Sequence, residues 1–499
     1  MPKKSSKTTK FKNEVLQSNP KKWLPAILML GLVLRVFNLT AVALWNDEAF
    51  SEFFIHYHWG EMMRRISLDV HPPLYYIILR FWSYLFGSGL FALRFLSVIF
   101  GILTIYLGYL FVKEAFKNEK LAVLSALFLA INPFQIAFAQ EMRMYTLGTL
   151  LILLSSYLLA KALNTNKTSI WIYYGVSVAA CFYTHYYLFF SVAAQGLYFL
   201  FYMWREKKFM IKGLLSYVLS VILFLPWIPT LIQQILRVET NYWIQKPNRF
   251  AVSSTFWSMT FGGHGTDHIT LTIITPIVLA LVIYFYIKSE VQMRWLLMLA
   301  VFLPVICALA LSFKQAIYLD RYFVFASLYF SIMIAATFFL VAKYTTRRTL
   351  TTIFIVASVI IFLKNWADMG WNTKPGMKAA AAYLNGNARP NDKIYVGLSA
   401  VYFTFEYYNQ TPIKPLLYSP GPLETIPNFA GTALLNDTDL VSNFAKATKS
   451  NDVIWLLWTT GFYGTKPNVP GNWQKIDEKT YADTPWYKGD IIITEYHVD

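Results

Sequence analysis

Two adjacent carboxylates, Asp47 and Glu48, follow a long run of mostly apolar residues, in the segment ALWNDEAFSEFF. Charged groups at the edge of a membrane are costly, and they mark a functional site by default. A carboxylate in this position can act as a general base that takes the proton from an attacking hydroxyl group. The alternative interpretation is an ordinary polar end to a buried helix.

Later segments carry basic, acidic and aromatic polar side chains between apolar runs. They read HPP, QEMRMY, THYY and FKQAIYLDRY in chain order. Arginine and lysine can hold a phosphate and stabilise its charge, arginine through paired hydrogen bonds. Together with a general base, such residues suit a transfer reaction with a phosphate leaving group. The candidate residues are His71, Glu141, Arg143, Tyr145, His185, Lys314 and Arg321.

A phosphate that is linked to a lipid requires no nucleotide site. The sequence contains neither a G-x-x-x-x-G-K-[ST] loop nor a dinucleotide fingerprint. The net charge of +17 is distributed in short basic clusters between apolar runs, so it does not indicate a nucleic-acid partner. The lack of a nucleotide motif is therefore compatible with a lipid-linked phosphate as the leaving group.

A divalent metal at the same rim is an open alternative. His56, His58, His71 and His185 are ligand types that Zn²⁺ or Mn²⁺ accepts, together with the nearby acids. The HYH motif, however, spaces its histidines poorly for one face of a helix. The two cysteines of the chain lie in apolar runs and provide neither a metal motif nor a disulfide framework. The sequence leaves metal dependence undecided.

The composition indicates that a membrane surrounds these residues. Of 499 residues, 56% are hydrophobic and 14% are charged, against about 25% charged residues in soluble proteins. Apolar stretches of about 17 to 25 residues can cross a bilayer as helices. The joint between the fifth and sixth candidate spans is the weakest. The eleven candidates are 23–44, 90–112, 121–139, 146–163, 170–187, 188–203, 213–231, 269–287, 294–312, 322–342 and 349–364.

The charges between the spans predict their orientation. With a cytoplasmic N-terminus, the inner loops carry 14 basic and 4 acidic residues, and lysine and arginine concentrate on the cytoplasmic side. Residues 1–22, with seven lysines and one glutamate, form a basic cytoplasmic leader rather than a signal peptide. Asp47 and Glu48 then face outward, in a first outer loop over residues 45–89. Its HPP motif interrupts amphipathic helices on the membrane surface.

The composition changes at about residue 365. Residues 365–499 contain 11 basic and 13 acidic residues and turn signals such as NGNARPND. The runs KIYVGL, DVIWLLW and DIIITEY are typical of strands, and GMKAAAAYL is typical of a helix. We therefore expect a transmembrane domain over 23–364 and an extracytoplasmic α/β domain over 365–499, because an odd number of spans ends outside.

The segments LWNDEAF, HPPLYYIILRFWSYLFG, QEMRMYTLGTLLILL, YTHYYLFF and DRYFVFAS, in this order, resemble membrane glycosyltransferases of the GT-C type. The likeness is to a bacterial branch of this type that is similar to glycosyltransferase family 39. This branch is related to dolichyl-phosphate-mannose–protein mannosyltransferases and to the lipid A aminoarabinose transferase. It covers residues 23–345. It implies a polytopic α-helical fold in the cell membrane and transfer of a sugar from a polyprenyl-phosphate donor on the outer face.

The resemblance also implies roles for the acidic and basic candidates. Asp47 would be the general base, and Glu48 would assist it or bind the acceptor. Arg143, Tyr145 and Arg321 would contact the donor phosphate.

His71 stands where some relatives carry a lysine that touches this phosphate, and a histidine there can be neutral near pH 7. Glu141 is a candidate second acid, and His185 and Lys314 are accessory candidates. Arg35, within the first span, needs a partner for its charge. We expect that partner to be one of the two acids that follow the span.

Two other functions fit a polytopic chain. A transporter or lipid flippase often shows internal repeats and polar residues near the middle of the bilayer, whereas no internal repeat is visible and the titratable groups lie at the rim. An inactive scaffold of the same fold would lack the acids that this chain keeps. The sequence distinguishes neither the sugar nor the oligomeric state, and the acceptor is a lipid, a glycan or a protein.

Overall fold

The structure is a computed structural model of the chain. It describes residues 20–240, 243–263, 268–288, 293–341, 344–368, 376–427, 430–462, 464–483 and 489–499. Most of the predicted leader, residues 1–19, lies outside these described residues. A helical region extends to residue 368, and a region that contains a β-sheet begins at residue 376.

Apolar helices make up the first region. A π-helical turn, Thr270–Ile274, precedes α14, and a 3₁₀ turn, Asp320–Phe323, precedes α16. The helices are α1 (Leu24–Val36), α2 (Asn46–His56), α3 (Trp59–Leu68), α4 (Leu74–Phe86), α5 (Leu90–Phe116), α6 (Glu119–Ile131), α7 (Pro133–Ala139), α8 (Tyr145–Thr165), α9 (Thr168–Phe182), α10 (Leu188–Arg205), α11 (Met210–Phe224), α12 (Ile228–Thr240), α13 (Ala251–Phe261), α14 (Thr275–Lys288), α15 (Arg294–Leu311), α16 (Val324–Val341) and α17 (Tyr344–Asp368).

Helices lie at all eleven places where the sequence predicts membrane spans. By length and hydropathy, seven helices among the described residues can cross a membrane, or eight if the bent pair α6 and α7 is one span. The first predicted span contains only the 13-residue helix α1, which is short for a hydrocarbon core about 30 Å thick. The polytopic helical fold is confirmed, whereas the number eleven stays a prediction.

The third predicted span is broken at Asn132 and Pro133. The axes of α6 and α7 meet there at 59°, because proline cannot continue the hydrogen-bond ladder of the preceding helix. The Asn132 side chain accepts a hydrogen bond from the backbone N–H of Gln135 at 3.0 Å and so caps α7. It also donates to Ser331 Oγ at 3.0 Å. The break is thereby fastened to α16.

Arg35 stabilises the same break from α1. Its buried guanidinium donates hydrogen bonds to the carbonyl oxygens of Leu129 and Ala130, at 3.1 and 2.9 Å. These carbonyls lie in the last turn of α6, where the helix itself offers no donor. The expected pairing of Arg35 with Asp47 or Glu48 is therefore wrong, because the unsatisfied helix end lies nearer to the guanidinium.

Residues 45–89 form the three helices α2, α3 and α4, with the HPP motif between the last two. In α3, Met62 and Ile66 lie four residues apart and are fully buried. Glu61 and Arg64 form an ion pair at 2.6 Å on the solvent side of that helix. The predicted amphipathic character of this segment is confirmed for α3.

A six-stranded sheet forms the second region. Its strand order is β3-β2-β1-β4-β6-β5, with β3, β2, β1 and β4 parallel and with β6 antiparallel to β4 and β5. The three predicted runs form β1, β4 and β6, and the predicted helix forms α18. The elements are α18 (Gly376–Asn387), β1 (Lys393–Val396), α19 (Ser399–Tyr408), β2 (Leu416–Tyr418), β3 (Leu440–Val441), α20 (Phe444–Ala447), β4 (Val453–Thr459), β5 (Trp473–Ala482) and β6 (Asp490–Val498).

The sheet region packs directly on the helices of residues 45–89. The rings of Phe403 on α19 and Phe50 on α2 meet edge to face, with their centroids 6.0 Å apart. Arg65 on α3 donates a hydrogen bond to the carbonyl oxygen of Leu434 at 2.8 Å, and its side chain is buried. The sheet region therefore helps to hold the helix that carries Asp47.

Replacing Arg35 by leucine is expected to destabilise the helical region. The carbonyl groups of Leu129 and Ala130 would be buried without donors, which costs about 1–3 kcal/mol per group. Thermal unfolding of purified protein in detergent should show a lower midpoint than that of the wild type. The matched control is Arg348→Leu, at an exposed position, which should leave the midpoint unchanged. Equal midpoints for the two variants would contradict the capping role.

Candidate active site

Asp47 lies in the first turn of α2, where a carboxylate faces the positive end of the helix dipole. Its Oδ2 atom lies 3.2 Å from Nη1 of Arg321, and 28% of its side chain is exposed. Within the described part of the chain, Oδ1 has no hydrogen-bond partner. One oxygen of the carboxylate is held, and the other can receive a proton from a ligand.

Arg143 fixes the backbone from which Asp47 projects. Its buried Nη1 donates hydrogen bonds to the carbonyl oxygen of Asp47 and to Ser51 Oγ, both at 3.0 Å. Burial disfavours the charged guanidinium, but Tyr76 and Asp47 outweigh that cost and hold the pKa of Arg143 well above its usual value. The residue is therefore a permanent cation directly behind the carboxylate.

Arg321 reaches Asp47 from the turn before α16. The neighbouring Asp320 anchors this turn, because its carboxylate accepts a hydrogen bond from Thr255 Oγ1 at 2.7 Å. The Arg321 guanidinium lies 5.3 Å from the ring centroids of both Trp45 and Trp243. Such cation–π contacts limit the positions that the guanidinium can adopt.

Glu48 has a different environment from that of its neighbour. It is fully buried, and both of its oxygens accept hydrogen bonds from Arg94, at 2.8 and 2.6 Å. One of them also accepts the backbone N–H of Met142 at 2.8 Å. These contacts occupy the carboxylate that the sequence suggested as an assistant to Asp47. The sequence reasoning missed Arg94, although a lone arginine inside an apolar run signals a buried partner.

Glu141 lies behind the pair of acids. Its side chain is buried, and among the described residues its Oε2 atom has no hydrogen-bond partner. Burial, and then the negative charge of Glu48, raise the pKa of Glu141 to about 8. The expected second acid is therefore a neutral carboxylic acid at pH 7.

An apolar cavity of about 440 Å³ lies beside this cluster. Tyr322, which is part of its wall, follows Arg321 in the chain, so the turn that carries the ion-pair partner of Asp47 also contributes to the cavity. Its polar wall residues come from four segments of the helical region. The residues that line it are Val70, His71, His185, Tyr186, Tyr187, Phe190, Gln234, Ile235, Val238, Ile244, Leu311, Lys314, Gln315, Ile317 and Tyr322.

Two histidines face each other at the cavity wall, with ring centroids 5.9 Å apart. His71 Nδ1 lies 2.9 Å from Oδ2 of Asp69. His185 is buried, and its Nδ1 accepts the backbone N–H of Tyr187 at 3.1 Å. Burial, and then the positive charge of neighbours such as Arg143, lower the pKa of His185 well below its usual value. Its ring is therefore neutral and carries its proton on Nε2.

The His185 Nε2 atom is buried without a hydrogen-bond partner among the described residues. A buried polar group in this condition costs about 1–3 kcal/mol unless a ligand or a water satisfies it. Because this nitrogen is a donor, a hydrogen-bond acceptor in the cavity would satisfy it. A phosphate oxygen is one such acceptor.

Tyr145 does not reach the Asp47 carboxylate through a hydrogen bond. Its buried ring, at the start of α8, lies 4.9 Å from the ring of Phe138 and 6.0 Å from that of His185, measured between centroids. The aromatic side chain thus supports His185 from behind.

No group of three histidine, cysteine or carboxylate side chains within the described ranges is arranged to hold a metal ion. Of the histidines considered as ligands, His56 pairs instead with Glu52 at 2.5 Å. The hydrogen bond that the Glu52 carboxylate accepts raises the pKa of His56. His58 precedes α3 as its N-terminal flanking residue.

Residues from distant parts of the sequence meet in this site. Asp47, Arg143 and Arg321 are in direct contact, while His71, His185 and Lys314 line the adjacent cavity. Sequence reasoning missed four contributors that the tertiary structure brings in: Trp45, Asp69, Arg94 and Trp243.

Comparisons with known proteins agree with this architecture. Residues 70–230 match the model of the family described as dolichyl-phosphate-mannose-protein mannosyltransferase. Two solved structures of similar fold are ArnT from Cupriavidus metallidurans bound to undecaprenyl phosphate and the same protein in the apo state. Their TM-scores are 0.59 and 0.61, at 11% and 10% sequence identity. The matches cover 95% and 96% of this chain and 98% of each ArnT chain.

No curated protein sequence matches the chain. The family match and the shared fold together confirm the predicted resemblance to GT-C glycosyltransferases. The shared fold is that of a polytopic helical protein with a sheet-containing C-terminal region, and its long apolar helices can cross a membrane.

The two adjacent acids should respond differently to removal of their charge. Glu48→Gln leaves the Arg94 charge buried without a counter-charge, which should destabilise the protein by about 3–5 kcal/mol. Asp47→Asn affects a partly exposed pair, so the change should stay within about 1 kcal/mol. Thermal unfolding of both purified variants in detergent tests this difference. Similar midpoints would refute the structural role of Glu48.

Glu141 should make stability depend on pH. The folded-state pKa of about 8 lies above the unfolded value of 4.5, so the folded protein binds the extra proton between these values. The corresponding stability is fully present below pH 4.5 and is lost as the pH rises through about 8. Glu141→Gln should therefore unfold like the wild type at pH 5 and at a higher temperature than the wild type at pH 9. Parallel pH curves for the two proteins would show that Glu141 is ionised when folded.

Proposed function

We propose that the protein transfers a sugar from a polyprenyl-phosphate donor to an acceptor hydroxyl group at the outer face of the membrane. Asp47 is the general base. The observation that carries this proposal is the position of the partly exposed Asp47–Arg321 pair beside an apolar cavity that contains histidine and lysine side chains. A carboxylate and cationic side chains beside an apolar cavity suit a lipid-linked sugar phosphate.

The cavity is proposed to hold the donor lipid. Its apolar residues, such as Phe190 and Ile235, suit an isoprenoid chain. The neutral His185 offers the N–H of Nε2 to a phosphate oxygen, and Lys314 adds a positive charge at the same cavity. That one of the solved structures of similar fold contains undecaprenyl phosphate supports the same donor class.

In the proposed reaction, Oδ1 of Asp47 takes the proton of the acceptor hydroxyl. The hydroxyl oxygen attacks the anomeric carbon of the sugar, while the bond between that carbon and the phosphate oxygen breaks. Arg321 stabilises the negative charge that develops on the departing phosphate. A single displacement of this kind inverts the configuration of the anomeric carbon.

The remaining candidates take supporting roles in the proposal. Arg143 orients Asp47 through its backbone carbonyl, and Tyr145 supports His185 by ring packing. Glu48 keeps α2 in place through Arg94. No role in the proposal requires a resident metal.

The C-terminal sheet region is proposed to cover the acceptor side of the site. Phe462, in the loop after β4, lies 6.3 Å from Trp243 between ring centroids, and Trp243 in turn packs on Arg321. A lipid, glycan or protein acceptor that approaches Asp47 would meet these rings. Through this contact, the sheet region would take part in selecting the acceptor.

Asp47→Asn should abolish sugar transfer. Loss of a general base lowers the rate by about 100-fold or more, while the donor site in the cavity stays intact. Purified protein in liposomes would receive a panel of radiolabelled polyprenyl-phosphate sugars and a membrane extract. The measured quantities are released polyprenyl phosphate and labelled acceptor, and the new carrier of the label identifies the acceptor class.

The matched control is Asp452→Asn, which removes a carboxylate that pairs with Lys393 in the sheet region. It should transfer sugar at the wild-type rate. Equal turnover by wild type and Asp47→Asn would reduce Asp47 to a polar helix end. Donor translocation across the liposome membrane without any transfer would support the transporter alternative instead.

A further inference from the structure

Asp69 and His71 form a pair that has no role in the proposed reaction as described so far. His71 Nδ1 and Asp69 Oδ2 are 2.9 Å apart, and 15% and 12% of their side chains are exposed. His71 lines the cavity. Since Nδ1 is engaged by the carboxylate, Nε2 is the nitrogen that remains for a ligand.

The backbone that carries this pair is held from several sides. Gln234 on α12 donates a hydrogen bond to the carbonyl oxygen of Ile66 at 3.1 Å. The N–H of Leu74 donates to the carbonyl oxygen of Tyr183 at 2.9 Å. Pro72 and Pro73, which follow His71, further restrict the backbone. The imidazole is therefore presented to the cavity by a rigid loop.

The His71 imidazole lies among several charged and titratable groups. Asp69 is the negative charge in contact, and the charge of His71 helps to hold the pKa of Asp69 below its usual value against the opposing effect of burial. The other groups on the surrounding elements are His185, Tyr186, Tyr187, Lys314, Tyr322 and, close to Asp69, Arg143.

Of these neighbours, His185 is neutral and the tyrosines carry no charge near pH 7. Lys314 and Arg143 are cations, and they disfavour a second positive charge. Within the described ranges, Asp69 is the one negatively charged group in direct contact with the imidazole.

We propose that Asp69 is a positioning residue that presents His71 as the general acid for the departing phosphate. This inference rests on the proposed function, and it names the source of a proton in that reaction. Asp69 holds the Nδ1–H of the imidazolium and directs Nε2–H toward the phosphate. The arrangement follows the general logic by which a carboxylate orients a histidine for proton transfer.

Atoms and charges balance in this step. The bond between the anomeric carbon and the phosphate oxygen breaks, and its electron pair stays on that oxygen. The Nε2 proton of His71 transfers to the same oxygen, while Asp47 receives the proton of the acceptor hydroxyl. His71 regains a proton from water before the next turnover. No oxidant, reductant or other co-reactant is involved.

Transfer of the His71 proton to the departing phosphate oxygen lowers the negative charge of the product. The donor is a phosphate diester with one negative charge, and the product is a monoester whose second pKa is about 6. Without proton transfer the product would leave as a dianion in a partly desolvated cavity, where charge is costly. A lysine at the same position would hold the phosphate but would keep its proton near neutral pH.

The test is the pH profile of sugar transfer between about pH 5.5 and 9.5, for wild type, Asp69→Asn and His71→Lys in liposomes. Wild-type turnover should fall on the alkaline side as His71 loses its proton. In Asp69→Asn that alkaline limb should move to lower pH, since the contact with the negative charge is lost, and kcat at about pH 7.5 should fall about ten-fold. The donor KM should change less than about three-fold, since the phosphate contacts of His185 and Lys314 remain.

His71→Lys should bind donor with a KM close to that of the wild type but lack the alkaline limb below about pH 9. Asp452→Asn is the matched carboxylate control and should keep the wild-type profile. Thermal unfolding of each variant accompanies the kinetics, because a purely structural effect would lower turnover equally at every pH.

An unshifted alkaline limb in Asp69→Asn would overturn the assignment while leaving the proposed function intact. Absence of transfer by the wild type with every donor of the panel would remove the proposed function, and the assignment with it. The two failures are thus distinguishable in one set of measurements.

Discussion

The buried ion pair between Glu48 and Arg94 is the constraint on which the site depends. It joins the first turn of α2 to α5, and the backbone N–H of Met142 adds a third segment at the same carboxylate. In an apolar surrounding neither charge is tolerable without the other, so the pair defines one position for α2. Asp47, the adjacent residue, is thereby held against Arg143 and Arg321. The buried carboxylate of Glu48 thus sets the position of the partly exposed carboxylate of Asp47.

The site combines a charged environment with an apolar one. A charged, partly exposed pair stands beside a cavity whose wall is mostly apolar. The connection is local, because Arg321 contacts Asp47 while the next residue, Tyr322, lines the cavity. A substrate with a lipid tail and a polar head needs this juxtaposition. The neutral His185 lines this cavity, and its Nε2 has no hydrogen-bond partner in the part of the chain that the structure describes.

The sheet region is mechanically linked to the helix of the proposed base. Phe403 packs against Phe50 on α2, and Arg65 on α3 donates to the carbonyl of Leu434. These contacts add to the one that Glu48 makes with Arg94 on α5. Helix α2 is therefore held between the membrane helices and the sheet, which suits a residue whose geometry must be maintained during a reaction.

The sequence by itself determined where apolar helices form, where the strands β1, β4 and β6 of the C-terminal region lie and which polar residues gather at one rim, because hydropathy and periodicity are local properties. The sequence did not predict the edge strand β5, because a mostly exposed strand shows little alternation of apolar and polar residues. Only the tertiary structure decided the partners of the charged groups. Arg35 caps the end of α6 and does not pair with an acid, Glu48 pairs with Arg94, and Asp69 pairs with His71. Such choices depend on which groups are close after packing, and distance in space does not follow from distance along the chain.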